Sequence, residues 1–505
     1  MMNIAHWIEN WALATPDKIA IRFEGQAINY PEFNRQIKAS AQVLKNALGV
    51  EPGDRIAYLG QNHPRILVLL FACARLGAIF VPLNWRLTPN EHLYVLKDSG
   101  ARTLLVDDPY REQCEELKTE LTDCQFVAVQ GEQGPGWLMW GDLLEAAAGD
   151  DHYPDIGLDQ ALLIIYTSGT TGYPKGAVLS QEAIQYNAIN SIIMQDMTSA
   201  DLILTFLPLF HVGGLNIQTT AGFYAGATVI LHRIFDPGQV LDSIVHEKAT
   251  LTIILPAHMP LLLEQAKWEE SDLSSLRCVL TGSTAIPEQM IHYWHGKGIP
   301  FLQVYGASET GPIAIHQKIA NALATEDCIG FPAMHCEVRI VDARGDDCAV
   351  DVPGEILIRG KNVMSRYWND EEATKNSLVD GWFYTGDIGF FDKTGCYHFL
   401  DRKKDVIISG GENIYPAEIE NVLSDHPDIL EAAVVGREDP RWGEVPVAVI
   451  AGKENHALTK DQVLDWLKGR LGNYKHPRDV LFVDALPRNA MRKVMKNVLH
   501  DMVNP

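Results

Sequence analysis

Apolar residues recur with two different periods along the chain, and the change from one to the other divides it. Over the first hundred residues, helical spacing at 31–48 and 65–75 alternates with short apolar runs at 55–59, 78–82 and 104–106. That alternation predicts helices covering a mostly parallel sheet. Runs at 161–165, 177–179, 203–206, 227–231, 251–255, 278–280 and 301–304 continue the pattern as strands. From about residue 335 the chain reads as hairpins, with turn signals at 344–346, 352–354 and 392–395. This predicts a small antiparallel, barrel-like β unit over about 335–401. The charged run 401–405 reads as a linker. Beyond it, a helix starting at Pro416, strands at 432–435 and 445–450, and a helix opened by a Thr459/Gln462 capping box predict a compact α+β module. The expected fold class is α/β and α+β: a large N-terminal domain of helix-covered sheets, 1–401, and a small C-terminal α+β domain, 406–505.

Composition narrows the function. A chain of 505 residues is too long for one core. Its net charge of −23 and pI near 5.1 argue against non-specific nucleic-acid or anionic-membrane binding. Anionic substrates would need Lys, Arg and backbone N–H groups gathered locally. The eight cysteines, at 73, 114, 124, 278, 328, 336, 348 and 396, form no CxxC pair, and no signal peptide precedes the helix-like stretch 4–13. Together these predict reduced thiols, a cytoplasmic protein and no zinc site. His292 and His295 lack a third ligand at metal spacing and read as surface-helix residues. The longest apolar stretch, 66–81, holds Arg75 and Gly77 and is too short for a membrane span.

Candidate chemistry concentrates after the strand 161–165. The loop Tyr166-Thr167-Ser168-Gly169-Thr170-Thr171-Gly172-Tyr173-Pro174-Lys175-Gly176 combines glycines that admit an anion to the backbone, hydroxyls that donate to phosphate oxygens, and one lysine. It is not the Walker pattern, because Lys175 precedes Gly176 rather than Ser or Thr. Other small-residue segments follow predicted strands: Leu207 to Gly214 with His211, Thr281 to Ala285, and Tyr305 to Thr310. Ligands collect at the carboxyl ends of strands in parallel α/β sheets, so these segments are expected to face one crevice.

Taken in order, Tyr166–Gly176, Leu207–Gly214, Tyr305–Thr310, Tyr384–Asp387, Asp401–Glu420 and Pro487–Lys496 resemble the successive core motifs of the adenylate-forming superfamily. That family includes acyl- and aryl-CoA synthetases, peptide-synthetase adenylation domains and firefly luciferase, and the resemblance covers nearly the whole chain. It implies a two-step reaction: a carboxylate attacks the α-phosphate of ATP, releasing pyrophosphate, and the CoA thiol then displaces AMP. By position, Thr167, Ser168, Gly169, Thr170, Thr171, Gly172 and Lys175 would hold phosphates, and Glu309, with Thr171, would bind Mg²⁺. Tyr305 would pack on adenine, with Gly306, Ala307, Ser308 and the segment Ser283, Thr284, Ala285 around the base. Asp387 would accept the ribose hydroxyls, near Arg402 and Phe399. The resemblance also makes 402–405 a hinge centred on Lys404, about which a mobile C-terminal domain brings Lys493 to the α-phosphate region. Many relatives have Gly before this lysine; here it is Arg492.

For the thioester half, the resemblance implies a pantetheine channel bordered by Gly410, Gly411, Glu412 and Asn413, with His211 moving to admit it. Trp442 would stack on the CoA adenine, and Lys475, His476 and Arg478 would meet CoA phosphates. The acyl pocket would be lined by Phe206, His211, Val212, Gly213, Gly214, Thr281, Gly282, Ala307 and Ile313. No Lys or Arg stands among them to pair a second carboxylate, which disfavours diacids. The expectation is an AMP-forming carboxylic acid–CoA ligase for a medium- or long-chain fatty acid, with a hydroxycinnamate-like aryl acid as the alternative. Adenylation for a non-CoA acceptor and a catalytically dead nucleotide-binding regulator are the rival classes. The expected ligands are ATP/AMP, Mg²⁺, coenzyme A and the acid; a homodimer is compatible with the sequence.

Overall fold

The computed structural model describes residues 3–146, 153–167, 174–282, 286, 288–325, 328–410, 412–453, 458–489 and 493–504. The chain falls into two compact units. The first comprises residues 1–283, 290–338 and 358–383; the second comprises 284–289, 339–357 and 384–505.

The first unit is built on two large sheets. One has eight strands in the order Arg366–Tyr367, Lys175–Ser180, Ala161–Thr167, Ile79–Leu83, Arg55–Leu59, Thr103–Val106, Gln125–Ala128, Leu138–Met139. The other has nine, in the order Phe331–Pro332, Ile315–His316, Phe301–Tyr305, Cys278–Gly282, Leu251–Ile253, Leu202–Thr205, Thr228–Leu231, Ile19–Phe23, Gln26–Asn29. Most neighbours in both are parallel, as the alternating pattern predicts. The helix Pro64–Leu76 starts on a proline and stops at Gly77, whose φ is +72°. Every residue of it except Arg65 is buried, Arg75 included, and the rest are apolar, as suits a helix caught between layers. Each such Leu or Phe, moved out of water, contributes about 1.5–3 kcal/mol.

In the second unit, Glu412–Ile414, Ile407–Ser409, Gly443–Gly452 and Ile429–Asp439 form a sheet in that order, with Asp479–Val483 also on Gly443–Gly452. Helix Pro416–Ser424 packs Ile419 and Leu423 against Val434, Ala448 and Ile450, and helix Lys460–Leu467 adds Val463 and Leu467. The Thr459/Gln462 capping box is present. A further five-stranded sheet, containing Cys336–Val341, Gly354–Gly360 and Trp382–Phe391, supplies residues to both units.

Some local expectations change. Asp401 and Arg402 are not in a linker; they end the strand Tyr397–Arg402, because pairing across to Asp387 and Ile388 outweighs the tendency of a charged run to stay solvated. Thr167 and Lys175 belong to paired strands rather than to the loop, since the hairpin ladder runs on to Thr167↔Lys175. Cys73, Cys114, Cys124, Cys278, Cys336 and Cys348 are free thiols. Among the described residues no helix is long and apolar enough to cross a membrane.

Candidate active site

The glycine- and hydroxyl-rich turn Ser168, Gly169, Thr170, Thr171, Gly172, Tyr173 lies outside the described residues, as do Ser283, Thr284, Ala285, Gly411 and Arg492. What flanks the turn is well defined. Thr167 and Lys175 face each other across the hairpin, with the Thr167 hydroxyl donating to the Lys175 carbonyl at 3.4 Å. The Lys175 ammonium stands 3.6 Å from Asp370 and 5.5 Å from the Tyr367 ring centre. The Tyr367 hydroxyl donates to Glu309 Oε1 at 2.8 Å. Burial, and then the Glu309 charge, push the Tyr367 phenol well above its ordinary range, so it stays a donor. One tyrosine thus joins the predicted phosphate lysine to the predicted metal carboxylate. Neither Tyr367 nor Asp370 belongs to a motif identified in the sequence.

Glu309 owes its position to buried amides. The Asn187 side chain accepts from the Ile313 N–H at 2.9 Å and donates to the Asn216 carbonyl at 2.7 Å. Asn216 donates to the Gly311 carbonyl at 3.1 Å, and Asn362 to the Ile313 carbonyl at 2.9 Å. Asn190 accepts from the His335 N–H at 3.2 Å. All four asparagines are fully buried. They satisfy backbone groups of an irregular turn that has no ladder partner, and the Met364 N–H closes on the Glu309 carbonyl at 2.7 Å. The legible signal was the helix Gln181–Gln195, which buries Asn187, Asn190, Ser191 and Gln195 at helical spacing.

Asn62 does the same for the His211 segment. Its amide donates to the Leu207 and His232 carbonyls at 3.0 and 3.1 Å and accepts from the Leu209 N–H at 2.8 Å. His211 then caps a short helix, its Nδ1 accepting from the Gly213 N–H at 3.0 Å. Beside it is a small cavity lined by Thr205, Phe206, Leu207, Gly214, Gln218 and Ile253. Of the predicted acyl-pocket residues, Phe206 and Gly214 line it; His211, Val212, Gly213, Thr281, Gly282, Ala307 and Ile313 do not. Gly214 is required by packing, since a Cβ there would sit 2.4 Å from the Pro208 carbonyl oxygen. Thr281 alternates onto the sheet face opposite Gly282. Tyr305 ends its strand, and Ala307 and Ser308 lead into the turn Ser308–Thr310 that holds Glu309.

In the second unit Asp387 and Arg402 are cross-strand partners with an ion pair of 2.9 Å, and Asp387 is buried. Phe399 pairs with Gly389 on the same two strands. Lys493 comes to this pair. Its side chain reaches solvent, yet protein crowds around it, and that desolvation, followed by the Arg402 charge, lowers its pKa against the opposing pull of Asp387. Lys404 and Asp405 also act on it. The lysine is carried by a backbone pair with Asn489, whose own amide N–H donates to the Lys493 carbonyl at 3.0 Å. Three residues on, Lys496 meets Glu420 at 2.9 Å, and Asp401 accepts from the Ala417 N–H at 2.8 Å. Beside the predicted hinge, Glu355 accepts from the Gly386 N–H at 3.1 Å and pairs with Lys403 at 2.7 Å.

Gly410 has φ +61°, and its N–H donates to the Trp442 carbonyl at 2.7 Å. A Cβ on it would come within 2.7 Å of the Trp442 ring, so only glycine allows this packing. Trp442 remains 38% exposed, with the Arg441 guanidinium 5.0 Å from its ring centre. Lys475 is held by Glu418 at 2.7 Å, a partner that spacing did not foretell. His476 meets the Leu471 carbonyl, and Arg478 donates its backbone N–H to Pro446.

Comparison with known proteins places the whole chain in a family. Residues 8–368 match the AMP-binding enzyme family, and 418–493 match the AMP-binding enzyme C-terminal domain. The chain is 47% identical over 504 residues to indoleacetate–CoA ligase of Aromatoleum aromaticum, covering 99% of this chain and 98% of the relative. It is 39% identical to a feruloyl-CoA synthase of Amycolatopsis sp, covering 98% of each. The fold superposes on o-succinylbenzoate CoA synthetase of Bacillus subtilis, solved with its acyl-adenylate, with a TM-score of 0.88, 33% identity and coverage of 99% and 98%. The same enzyme solved with ATP and magnesium gives a TM-score of 0.87, with 33% identity and 99% of each chain covered. Over nearly its whole length, then, the chain that carries this hairpin, this acidic turn and this C-terminal lysine belongs to the AMP-binding enzymes of the adenylate-forming superfamily.

Proposed function

We propose that the chain is an AMP-forming CoA ligase for aromatic carboxylic acids: ATP and the acid give acyl-adenylate and pyrophosphate, and CoA then gives the thioester and AMP. The observation that carries this reading is the approach of Lys493 to Asp387 and Arg402. A carboxylate attacking a phosphate brings two anions together, and a positioned ammonium offsets that repulsion. Asp387 is suited to a ribose diol because one carboxylate accepts two hydrogen bonds. Lys175 supplies positive charge for the outer phosphates. Glu309 offers a single carboxylate, oriented by Tyr367, and no cluster of three metal-ligating side chains exists among the described residues. That sparse donor set fits Mg²⁺, which keeps waters and takes most other ligands from phosphate oxygens. The ion supplies charge neutralisation on the phosphates when bound.

The relatives named for indoleacetate and ferulate move the acid from the fatty-acid expectation to its aryl alternative. Trp442, exposed beside Arg441, supports CoA as the acceptor by offering a stacking face and a cation. The test is AMP release from ATP over a panel of indoleacetic, hydroxycinnamic, fatty and dicarboxylic acids, with and without CoA. Release that depends on an aryl acid and CoA is expected. A preference for fatty acids or diacids overturns the acid assignment; AMP from no acid at all restores the nucleotide-binding regulator.

A further inference from the structure

The small cavity beside Gly214 has two polar side chains in its lining, Thr205 and Gln218, and Gln218 belongs to a chain of buried side chains whose polarity is determined. The Ser191 hydroxyl donates to the Ile217 carbonyl. Gln195 sends its NH₂ group to the Ser191 hydroxyl at 2.8 Å and to the Ser191 carbonyl at 3.3 Å. A backbone carbonyl can only accept, so Gln195 cannot be turned over, and its amide oxygen must face the other way. There it accepts from the Gln218 NH₂ group at 2.6 Å. Gln218 is in turn fixed, with its amide oxygen as the terminal atom. Ser191, Gln195 and Gln218 are all buried, and Gln218 lines the cavity. The Gln218 oxygen accepts from no described residue, and it is not among the atoms sealed inside protein without a partner.

The lining also includes an aromatic ring backed by two others. Phe206 lines the cavity, with Phe235 and His258 rings each centred 5.2 Å from it and stacked on one another at 4.4 Å. Gln218 itself sits in the π-helical turn Leu215–Thr219, which rotates it away from the register of an α-helix.

We infer that this relay makes Gln218 the specificity-determining acceptor for the acid, selecting an aromatic ring that carries an N–H or O–H donor over isosteres that carry none. The inference rests on the aryl-acid ligase reading above. An apolar pocket alone discriminates weakly between rings of equal size. A buried acceptor left unmatched by its ligand costs far more, which is how polar specificity is built.

The experiment compares three isosteric acids as substrates, measured by kcat/KM for AMP release: indole-3-acetate, with a ring N–H; benzofuran-3-acetate, with a ring acceptor; and benzothiophene-3-acetate, with neither. The wild-type enzyme is expected to favour the indole by about 10-fold or more over both others. Gln218→Leu is expected to reduce that preference to within about 2-fold, because the acceptor is gone. Equal use of the three acids by the wild type, a preference for the benzofuran, or an indole preference that survives in Gln218→Leu would each overturn the inference. If Gln218→Leu does not fold, the wild-type comparison still decides. Turnover of none of the three nor of a hydroxycinnamic acid overturns the aryl-acid reading itself, whereas equal turnover of all three, or turnover of the hydroxycinnamic acid alone, removes only the role of Gln218.

Discussion

Two buried polar regions do different physical work. Around Gly311–Ile313 the groups are neutral amides, Asn187, Asn190, Asn216 and Asn362, each bonded to backbone. Around Lys493 and Lys496 they are charges: Asp387, Arg402, Asp401 and Glu420. Amides satisfy a turn without changing charge state, so they hold the Glu309 segment at any ordinary pH. The charged group is a different kind of support. Burial raises the pKa of both Asp401 and Glu420, a sign that desolvation opposes the charge that Lys496 then stabilises. Glu309 thus rests on a fixed frame, and Lys493 on one that responds to protons and salt.

The sharpest break in that comparison is Lys493→Ala. Adenylate formation, followed by pyrophosphate exchange, should fall by about 10²–10³-fold, while thioester formation from supplied acyl-adenylate persists. Equal loss of both halves would mean that the lysine only holds the fold. Next, Trp442→Ala should raise the KM for CoA about 10-fold and leave that for ATP alone, as expected for loss of one base-stacking face; an unchanged CoA dependence would dismiss it.

Asn362→Leu tests the neutral side. It leaves the Thr310 carbonyl without its side-chain donor and the Ile313 carbonyl with only the longer Asn190 and Cys336 contacts, and should cost about 2 kcal/mol in urea unfolding, by the same amount at pH 6 and pH 9. A pH-dependent cost would place a titrating group in the amide frame. Tyr367→Phe should be milder, raising the KM for Mg·ATP about 2- to 5-fold through a less ordered Glu309. A still smaller effect concerns protons. Adenylation needs the Lys493 ammonium, and its pKa is lowered, so the rate should be full below that value and lost as pH rises through it. The alkaline limb should therefore begin earlier than for an ordinary lysine, and thioester formation from acyl-adenylate should lack it.

Much of the first unit could be read directly. The alternation that predicts strands at 55–59 and 301–304 matches Arg55–Leu59 and, with one more residue, Phe301–Tyr305. The motif residues Lys175, Glu309, Asp387, Arg402 and Lys493 were legible because their chemistry is carried by residue type and order. Tyr367, Asp370, Asn62, Asn216 and Asn362 were not, since each looks ordinary until its partner is known; for Asn187 and Asn190 only their helical spacing was a signal. The charged run 401–405 misled for the same reason: its pattern is that of a solvated linker, and only Asp387 and Ile388 across the ladder make Asp401 and Arg402 strand residues.

The sequence by itself determined where helices and strands form and which functional groups the chain carries, because hydrophobic period, caps and motif order act over a few residues. Only the tertiary structure decided which groups meet. Asn187 and Ile313 are 126 residues apart, as the chain runs, and Asn62 and Leu209 are 147. Contacts at that range depend on how sheets stack and loops close, and so do the direction of the Ser191–Gln195–Gln218 relay and the crowding around Lys493. Local propensity contains no term for them.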